Sequence, residues 1–279
     1  MHESASTSVF KRLLIQLTGS RLAQRILQKN IAMSQELMGI GTGISVSNSG
    51  ETAVLDHLKQ HFTGPYRIFD VGSNRGQFLD MAFTHLPSDQ LEVHCFEPGA
   101  QTFRHLSAAA ADRPGVVLNN VALGKAPGEA VLHYDAEGSE LASLTHRRLE
   151  HLKIAYEGSE KVTVKTVDSY CAEKGINHIH LLKVDVEGHE MDCFAGARRM
   201  FLKKAIDMVT LEFGGCNIDT RSFFRDFWFL FERLDMDLYR ITPSGYLFPI
   251  TKYYEIQEQF RTTNYMAVRR LDKPADQKG

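Results

Sequence analysis

Apolar residues along this chain gather in short runs separated by polar turns. The runs at 68–71, 91–96, 179–184 and 208–213 are mostly apolar, the pattern of strands buried on both faces of a parallel sheet. Residues 116–124 predict a third strand and its exit, and 238–241 and 265–269 predict closing strands. Segments 128–134 and 161–167 alternate instead, as exposed-edge or hairpin strands do. Helical patterns fill the spaces: 51–61, 77–86, 100–111, 166–174, 191–202 and an aromatic-rich 220–234. Thr166 or Asp168 caps the 166–174 helix. Strands alternating with helices predict an α/β fold.

The first run carries one acid, Asp70, and leads through Gly72, Asn74 and Gly76 into the 77–86 helix. Strand, glycine loop and helix make half of a nucleotide site. Glycines admit close backbone approach, and a helix N-terminus presents unpaired N–H groups. The spacing is D-x-G-x-x-x-G, with Asn74 where a dinucleotide fingerprint puts its second glycine. An acid on the strand suits an amino or ammonium group better than a pyrophosphate. The 91–96 strand then ends in Glu97 and Pro98, where a carboxylate is placed to bind two ribose hydroxyls. Acid, glycine loop and second acid together resemble class I S-adenosylmethionine-dependent methyltransferases. The bland reading is a turn with a structural aspartate.

Composition narrows the partners. The 279 residues, 43% hydrophobic and 24% charged, leave room for one large α/β domain with additions or two small ones. A formal net charge of −2 gives no footprint for nucleic acid, and no Asn-Pro-Pro-Tyr-like segment follows the 179–184 strand. Cys95, Cys171, Cys193 and Cys216 are scattered without C-x-x-C spacing. That argues against zinc and disulfides and for a reducing cytoplasm. No apolar run is long enough to span a membrane, and the polar residues 1–8 lack a signal core.

Residues 9–37 read as a helix, with Leu13, Leu17, Leu22, Ile26 and Leu27 at helical spacing and basic residues between them. It is either a packing helix or homo-oligomer arm, or a basic amphipathic helix on a membrane surface. Gly39, Gly41 and Gly43 open a Gly/Ser loop that ends at Gly50. Without a preceding strand or a following Lys-Ser/Thr it is no phosphate loop; a linker folding over the cofactor is the reading. Residues 135–159 are polar and irregular, holding Ser139, Ser143, His146, Arg147, Arg148 and His151. Such a segment is a functional lid or disordered. Its basic cluster either meets an acidic or sugar-phosphate substrate or is a solvated helical face.

The second concentration of chemistry follows the 179–184 strand. Lys183, Asp185, Glu187, His189 and Glu190 crowd its carboxyl end, and Glu212 stands at the end of the next strand. Ligands of open α/β sheets bind at that edge. With both stretches in place, the chain is similar to the FkbM family of methyltransferases. The matching blocks are 69–76, 96–98, 120–124, 166–168 and 182–190, in the family's order, across roughly residues 51–269. Lys-x-Asp-x-Glu-Gly is the most specific of them.

The resemblance implies a Rossmann-like class I fold with a seven-stranded, mostly parallel sheet and helices on both faces. It also implies methyl transfer from S-adenosyl-L-methionine to oxygen, commonly a sugar or polyketide hydroxyl. The domain plan is a helical arm and loop at 1–50, the methyltransferase domain at 51–271 and a polar tail at 272–279. Asp70 is expected near the methionine amino group, with Gly72, Asn74 and Gly76 in the loop. Glu97 and Pro98 are expected at the ribose, and Asn120 and Val121 at the adenine. Asp185 is the first candidate to take the acceptor's proton, with Lys183 holding it ionised or steadying the acceptor oxygen, and Glu187 and His189 as alternates. The structural alternative is that Lys183 and Asp185 form a buried ion pair and that Glu187 and Glu190 favour a helix start. A divalent-metal reading through Asp185, Glu187, His189 and Glu212 has loose spacing, and no metal is assigned. The expected partner is a small-molecule or glycan acceptor. The rivals are an NAD(P)-dependent Rossmann oxidoreductase, for which no fingerprint is present, and a non-catalytic binding protein on the same fold.

Overall fold

The computed structural model describes residue 11, residues 15–43 and residues 49–270. The polar tail expected at 272–279 and the start of the 9–37 helix lie outside the described residues. Two compact units are present, Met1–Met38 and Gly39–Gly279. The first contains helix α1 (Arg21–Leu37), whose N-cap Ser20 accepts a hydrogen bond from the Ala23 amide. The glycines at 39–43 belong to the second unit.

Within the second unit, α2 (Thr52–His61) leads into β1 (Tyr66–Val71), α3 (Gln77–His85), β2 (Leu91–Phe96), α4 (Ala100–Ala110) and β3 (Val116–Asn119). A small excursion follows: β4 (Ala122–Leu123), β5 (Gly128–Tyr134) and β6 (Gly158–Lys165). Then come α5 (Val167–Lys174), β7 (Ile179–Val184), α6 (Glu190–Gly196), α7 (Arg198–Leu202) and β8 (Ile206–Phe213). The chain closes with α8 (Cys216–Thr220), α9 (Phe224–Arg233), β9 (Met236–Ile241), β10 (Leu247–Pro249) and β11 (Thr263–Arg269).

The main sheet has the order β10-β9-β11-β8-β7-β1-β2-β3, and β4-β6-β5 form a second, three-stranded sheet. From β3 to β8 the main-sheet neighbours are parallel, while β11 enters antiparallel between β8 and β9. Seven strands are thus arranged as expected, and the three-residue β10 adds an eighth at the edge. The apolar runs are continuous because both faces are covered. Phe69, Leu182 and Val209 pack into one core; Ile68, Leu181 and Met208, one residue earlier on the same strands, pack into the other.

Three expected elements break, each at a residue the structure identifies. The 116–124 run leaves the main sheet at Asn120, whose side-chain amide donates to the carbonyls of Glu97 and Pro98. Ala122 and Leu123 then pair with β6. The expected 191–202 helix divides at Ala197. There Gly196 meets the chain after β4 so closely that a Cβ would lie 2.1 Å from the Gly124 oxygen. Thr166 caps α5, while Asp168 instead accepts from the Arg199 and Met200 amides at the start of α7. The aromatic helix begins only at Phe224, after Arg221 takes a left-handed φ of 58°.

Gly72 fixes how β1 meets β7. Its φ is +81°, and a Cβ there would lie 1.8 Å from the Asp185 carbonyl oxygen. Gly175, the C-cap of α5, also has a positive φ, 67°, but open space around it. Gly175→Ala is therefore expected to cost about 1–2 kcal/mol, the left-handed penalty alone. Gly72→Ala should cost more, or prevent folding, because two backbones must also separate. Urea unfolding of the two variants compares them directly; equal losses would show that the β1–β7 approach yields easily.

Candidate active site

The parallel strands all end on one edge, so the turns after β1, β2, β7 and β8 converge there. They enclose a cavity of about 570 Å³. Of the residues expected from sequence, Gly72, Asn74, Glu97, Pro98, Val121, Lys183, Asp185, Glu187 and His189 line it. Asp70, Gly76 and Asn120 lie outside the lining. Gly76 takes a φ of 94° to start α3, and Asn120 holds the turn at Glu97 and Pro98.

Asp70 sits one layer deeper than expected. It is fully buried, in register with Lys183 on the neighbouring strand, and Lys183 Nζ lies 3.4 Å from its Oδ1. The same ammonium is 3.4 Å from Asp185 Oδ2 and 5.5 Å from the centre of the Phe78 ring. Burial raises the Asp70 carboxyl above its usual range, against the pull of Lys183. Desolvation works against the Lys183 ammonium, yet Asp70, Asp185 and Glu51 outweigh it and hold the charge. Asp70 thus reaches the cavity through Lys183.

The loop after β1 and the end of β2 are built against each other. The Gly72 and Ser73 amides both donate to the Phe96 carbonyl. Glu97 accepts from the Asn74 amide at 2.9 Å through Oε2, and from the Gly99 amide and Thr102 hydroxyl at 2.9 and 2.6 Å through Oε1. Three donors lock this carboxylate in one orientation at the cavity wall, while burial raises its pKa. Asn74 has a left-handed φ of 48°, uncommon for a non-glycine residue. Its buried Oδ1 has no hydrogen-bond partner among the described residues.

After β7 the charges divide by role. Glu190 is wholly buried and accepts from the Gly188 amide and the Asn217 side chain, which fixes the turn. Asp185, Glu187 and Glu212 each bring a carboxylate oxygen within 4.8 Å of the others, close enough for a shared cation. Glu187 has φ 51° and is ion-paired to Arg147, which also lies 3.6 Å from Asp219. Burial pushes the Glu187 carboxyl up to about 8, with Arg147 opposing and Asp185 and Glu190 reinforcing. Glu212 is also raised, first by burial and then by Asp185 and Glu187. Glu187 and Glu212, both raised and crowded together, share a proton more easily than they share two charges. His189 stands apart from them: its Nδ1 is 2.9 Å from Asp192 Oδ2, and its Nε2 is 2.9 Å from Thr145 Oγ1.

The segment between β5 and β6 covers this turn. Ser143 donates to the Glu187 carbonyl, and Arg147 and Leu149 are buried. His146, Arg148 and His151 are exposed. The expected basic cluster is therefore split, with one arginine spent on an internal ion pair and its neighbours in solvent.

Gly41 and Gly43, from the loop read as folding over the cofactor, line the opposite wall, and sequence reasoning missed the rest of it: Glu51, Phe260, Arg261 and Thr262. The Gly41 and Gly43 amides both donate to the Thr262 carbonyl, at 2.9 and 3.2 Å. One signal was available. An antiparallel strand starts where its parallel neighbours end, so residues preceding β11 must lie at the ligand edge.

This sheet order, with its glycine turn and acid-bearing strand ends at one edge, defines the class I methyltransferase type. A family model described as the methyltransferase FkbM domain matches residues 70–238. The chain belongs to the FkbM methyltransferase family. It is similar to a 2-O-methyltransferase, NoeI, of Sinorhizobium fredii, with 26% identity over 49% of this chain and 59% of that protein. It is also similar to a hexuronic acid methyltransferase, AglP, of Haloferax volcanii, with 31% identity over 53% of this chain and 56% of that protein. The matches thus span little more than half the length of these curated relatives. Among solved structures, an FkbM methyltransferase from Methylobacillus flagellatus aligns with TM-score 0.43 and 15% identity, over 72% of this chain and 43% of that one.

Two outcomes are expected. A carboxyl whose folded-state pKa is raised binds more protons folded than unfolded, so its contribution to stability is lost as pH rises through the folded value. Stability should therefore fall from about pH 5 through pH 8, the window set by Glu187. Glu212→Gln should flatten that fall in urea titrations across the range; an unchanged slope would show that the acids do not share a proton. Separately, Asp70→Asn strips the buried Lys183 of one counter-charge and should cost about 3 kcal/mol. Asp70→Asn with Lys183→Met should recover part of that loss, and no recovery would mean that the pair is not coupled.

Proposed function

We propose that this protein transfers a methyl group from S-adenosyl-L-methionine to a hydroxyl oxygen of a sugar, glycan or related metabolite. The observation that carries the reading is Glu97, held in one orientation on the cavity wall beside the glycine turn, with the acids after β7 on the same cavity. Two further features fit the donor. The cavity wall carries six carboxylates, Glu51, Glu97, Glu140, Asp185, Glu187 and Glu212, against Lys183, Arg147 and Arg261. That balance favours a ligand bearing a sulfonium and an ammonium. Asn74 Oδ1, buried and without a partner among the described residues, offers an acceptor to a ligand N–H or O–H.

When bound, the donor supplies an electrophilic methyl group on sulfur. The chain's own contribution is position and a proton acceptor. Glu97 takes the ribose hydroxyls, Gly72 and Asn74 carry the backbone past the donor, and Val121 borders the base. Asp185 accepts the acceptor's proton. Its side chain is 39% exposed and faces the cavity with Lys183 as its ion-pair partner. Glu187 is tied to Arg147, and His189 to Asp192 and Thr145. Lys183 keeps a positive charge behind Asp185 and steadies its carboxylate. Arg147 is spent on Glu187 and Asp219, so the wall favours a neutral hydroxyl over an anionic acceptor. The relative named for a 2-O position is consistent with a hydroxyl acceptor; the one named for a hexuronic acid shares the carbohydrate class but carries a carboxylate that this wall disfavours.

Calorimetry with S-adenosylhomocysteine tests the donor half. Glu97→Ala should weaken binding about tenfold or more, the loss expected for hydrogen bonds to a charged group. Asp185→Asn should bind it as the wild type does, while lowering methyl transfer to a sugar acceptor by about a hundredfold or more. Wild-type affinity in Glu97→Ala, or binding of NAD in place of the homocysteine ligand, would sink the assignment.

A further inference from the structure

We propose that α1 is an interfacial helix that lays its apolar side on an anionic lipid surface. At about 100° per residue, Leu22, Ile26, Met33 and Leu37 fall within a sector of about 60°. Their exposures are 70%, 51%, 58% and 74%, and none of the helix's 17 residues is buried. Leu27 and Ile31, also exposed, widen the apolar side to about half the circumference, interrupted by Asn30 and Ser34. Arg21, Arg25 and Lys29 repeat every fourth residue along the edge beside Leu22 and Met33. Glu36 is the one acid in the helix.

This combination fits a lipid surface in particular. Helices in proteins draw most of their stability from packing an amphipathic face, so this one gains from a surface that takes up its apolar side. Its composition is too polar to cross a bilayer, and no described helix is long and apolar enough to do so. A broad apolar side with cations at its border is instead the geometry of a helix lying in the headgroup plane. The long stems of Arg21, Arg25 and Lys29 can bury beside Leu22 while their charges reach lipid phosphates.

A second copy of the helix fits less well. Coiled-coil pairing needs a narrow heptad seam flanked by charges of both signs. Here the apolar side is wide, and three cations face one acid. Self-association would bring like charges together, whereas an anionic surface neutralises them.

The test is co-sedimentation of the full chain with vesicles of phosphatidylcholine alone, or mixed with phosphatidylglycerol. Partitioning should be about tenfold or more stronger on the anionic vesicles, since each cation near the surface contributes about a fivefold factor. It should weaken as salt is raised. Ile26→Glu should abolish it, and Arg21→Glu with Arg25→Glu should lower it by about tenfold or more. Both variants should keep the thermal unfolding of the wild type, because these side chains are exposed. Absent binding to anionic vesicles, or equal binding to neutral and anionic ones, overturns the proposal. A solution dimer that Ile26→Glu dissociates, without lipid binding, overturns it in favour of the second copy.

Discussion

The structure depends on one buried ion pair at the junction of β1 and β7. Asp70 and Lys183 are register partners on the same face of adjacent parallel strands. Burying either alone would cost several kcal/mol, and the pair offsets that cost only with each partner in place. Register is thereby specified: a slip of one residue would leave both charges facing apolar side chains of the opposite core. The same register brings Gly72 against the Asp185 carbonyl and sets Asp185 at the cavity. A stability element and the site geometry are therefore one feature. Lys183 belongs to both, with one carboxylate behind it and one in front.

Around that junction acids are packed so closely, and so far from water, that their mutual repulsion is poorly screened. Asp185, Glu187 and Glu212 lie within 4.8 Å of one another, with Arg147 and Lys183 on their flanks. Each cation is fixed by a second carboxylate, Asp219 or Asp70, so neither can move inward to neutralise the cluster fully. A shared proton or an incoming positive charge relieves the remainder. Two non-glycine residues in left-handed conformations, Asn74 and Glu187, line the same cavity. Such backbone strain persists only where surrounding contacts over-determine it. Here those contacts are the Asn74 amide to Glu97, and the Glu187 carbonyl and carboxylate to Ser143 and Arg147.

Much of the fold was legible because buried parallel strands have an unambiguous pattern. β2 and β7 lie where the apolar runs put them, and the hairpin of β5 and β6 follows its alternation. The family blocks located the glycine turn, Glu97 and the acids after β7. What was not legible depends on contacts far apart in sequence. Nothing local marks Asn120 as the residue that bends the chain out of the sheet, because its partners are carbonyls 22 and 23 residues earlier. Helix breaks at Ala197 and before Phe224 follow from a close approach to Gly124 and from a left-handed Arg221. Asp70 was placed at the ligand because an acid in that position reads as a ligand group. Its register with Lys183, invisible in either segment alone, puts it behind.

The cavity is consequently built by two kinds of backbone. One wall is turns welded to the parallel sheet, and the Phe96 carbonyl ties the glycine turn to β2. The other wall is Gly41, Gly43 and Glu51 on one side and Phe260 to Thr262 on the other, joined through the Thr262 carbonyl. The family match covers residues 70–238 and so includes the first wall and excludes the second. Inside the match lies the wall carried by the parallel strand ends, and outside it lies the wall that the return of the chain into β11 brings up. The antiparallel entry of β11 makes this division possible. It delivers a late loop to the same edge as the early turns without disturbing the register that holds Asp70 to Lys183.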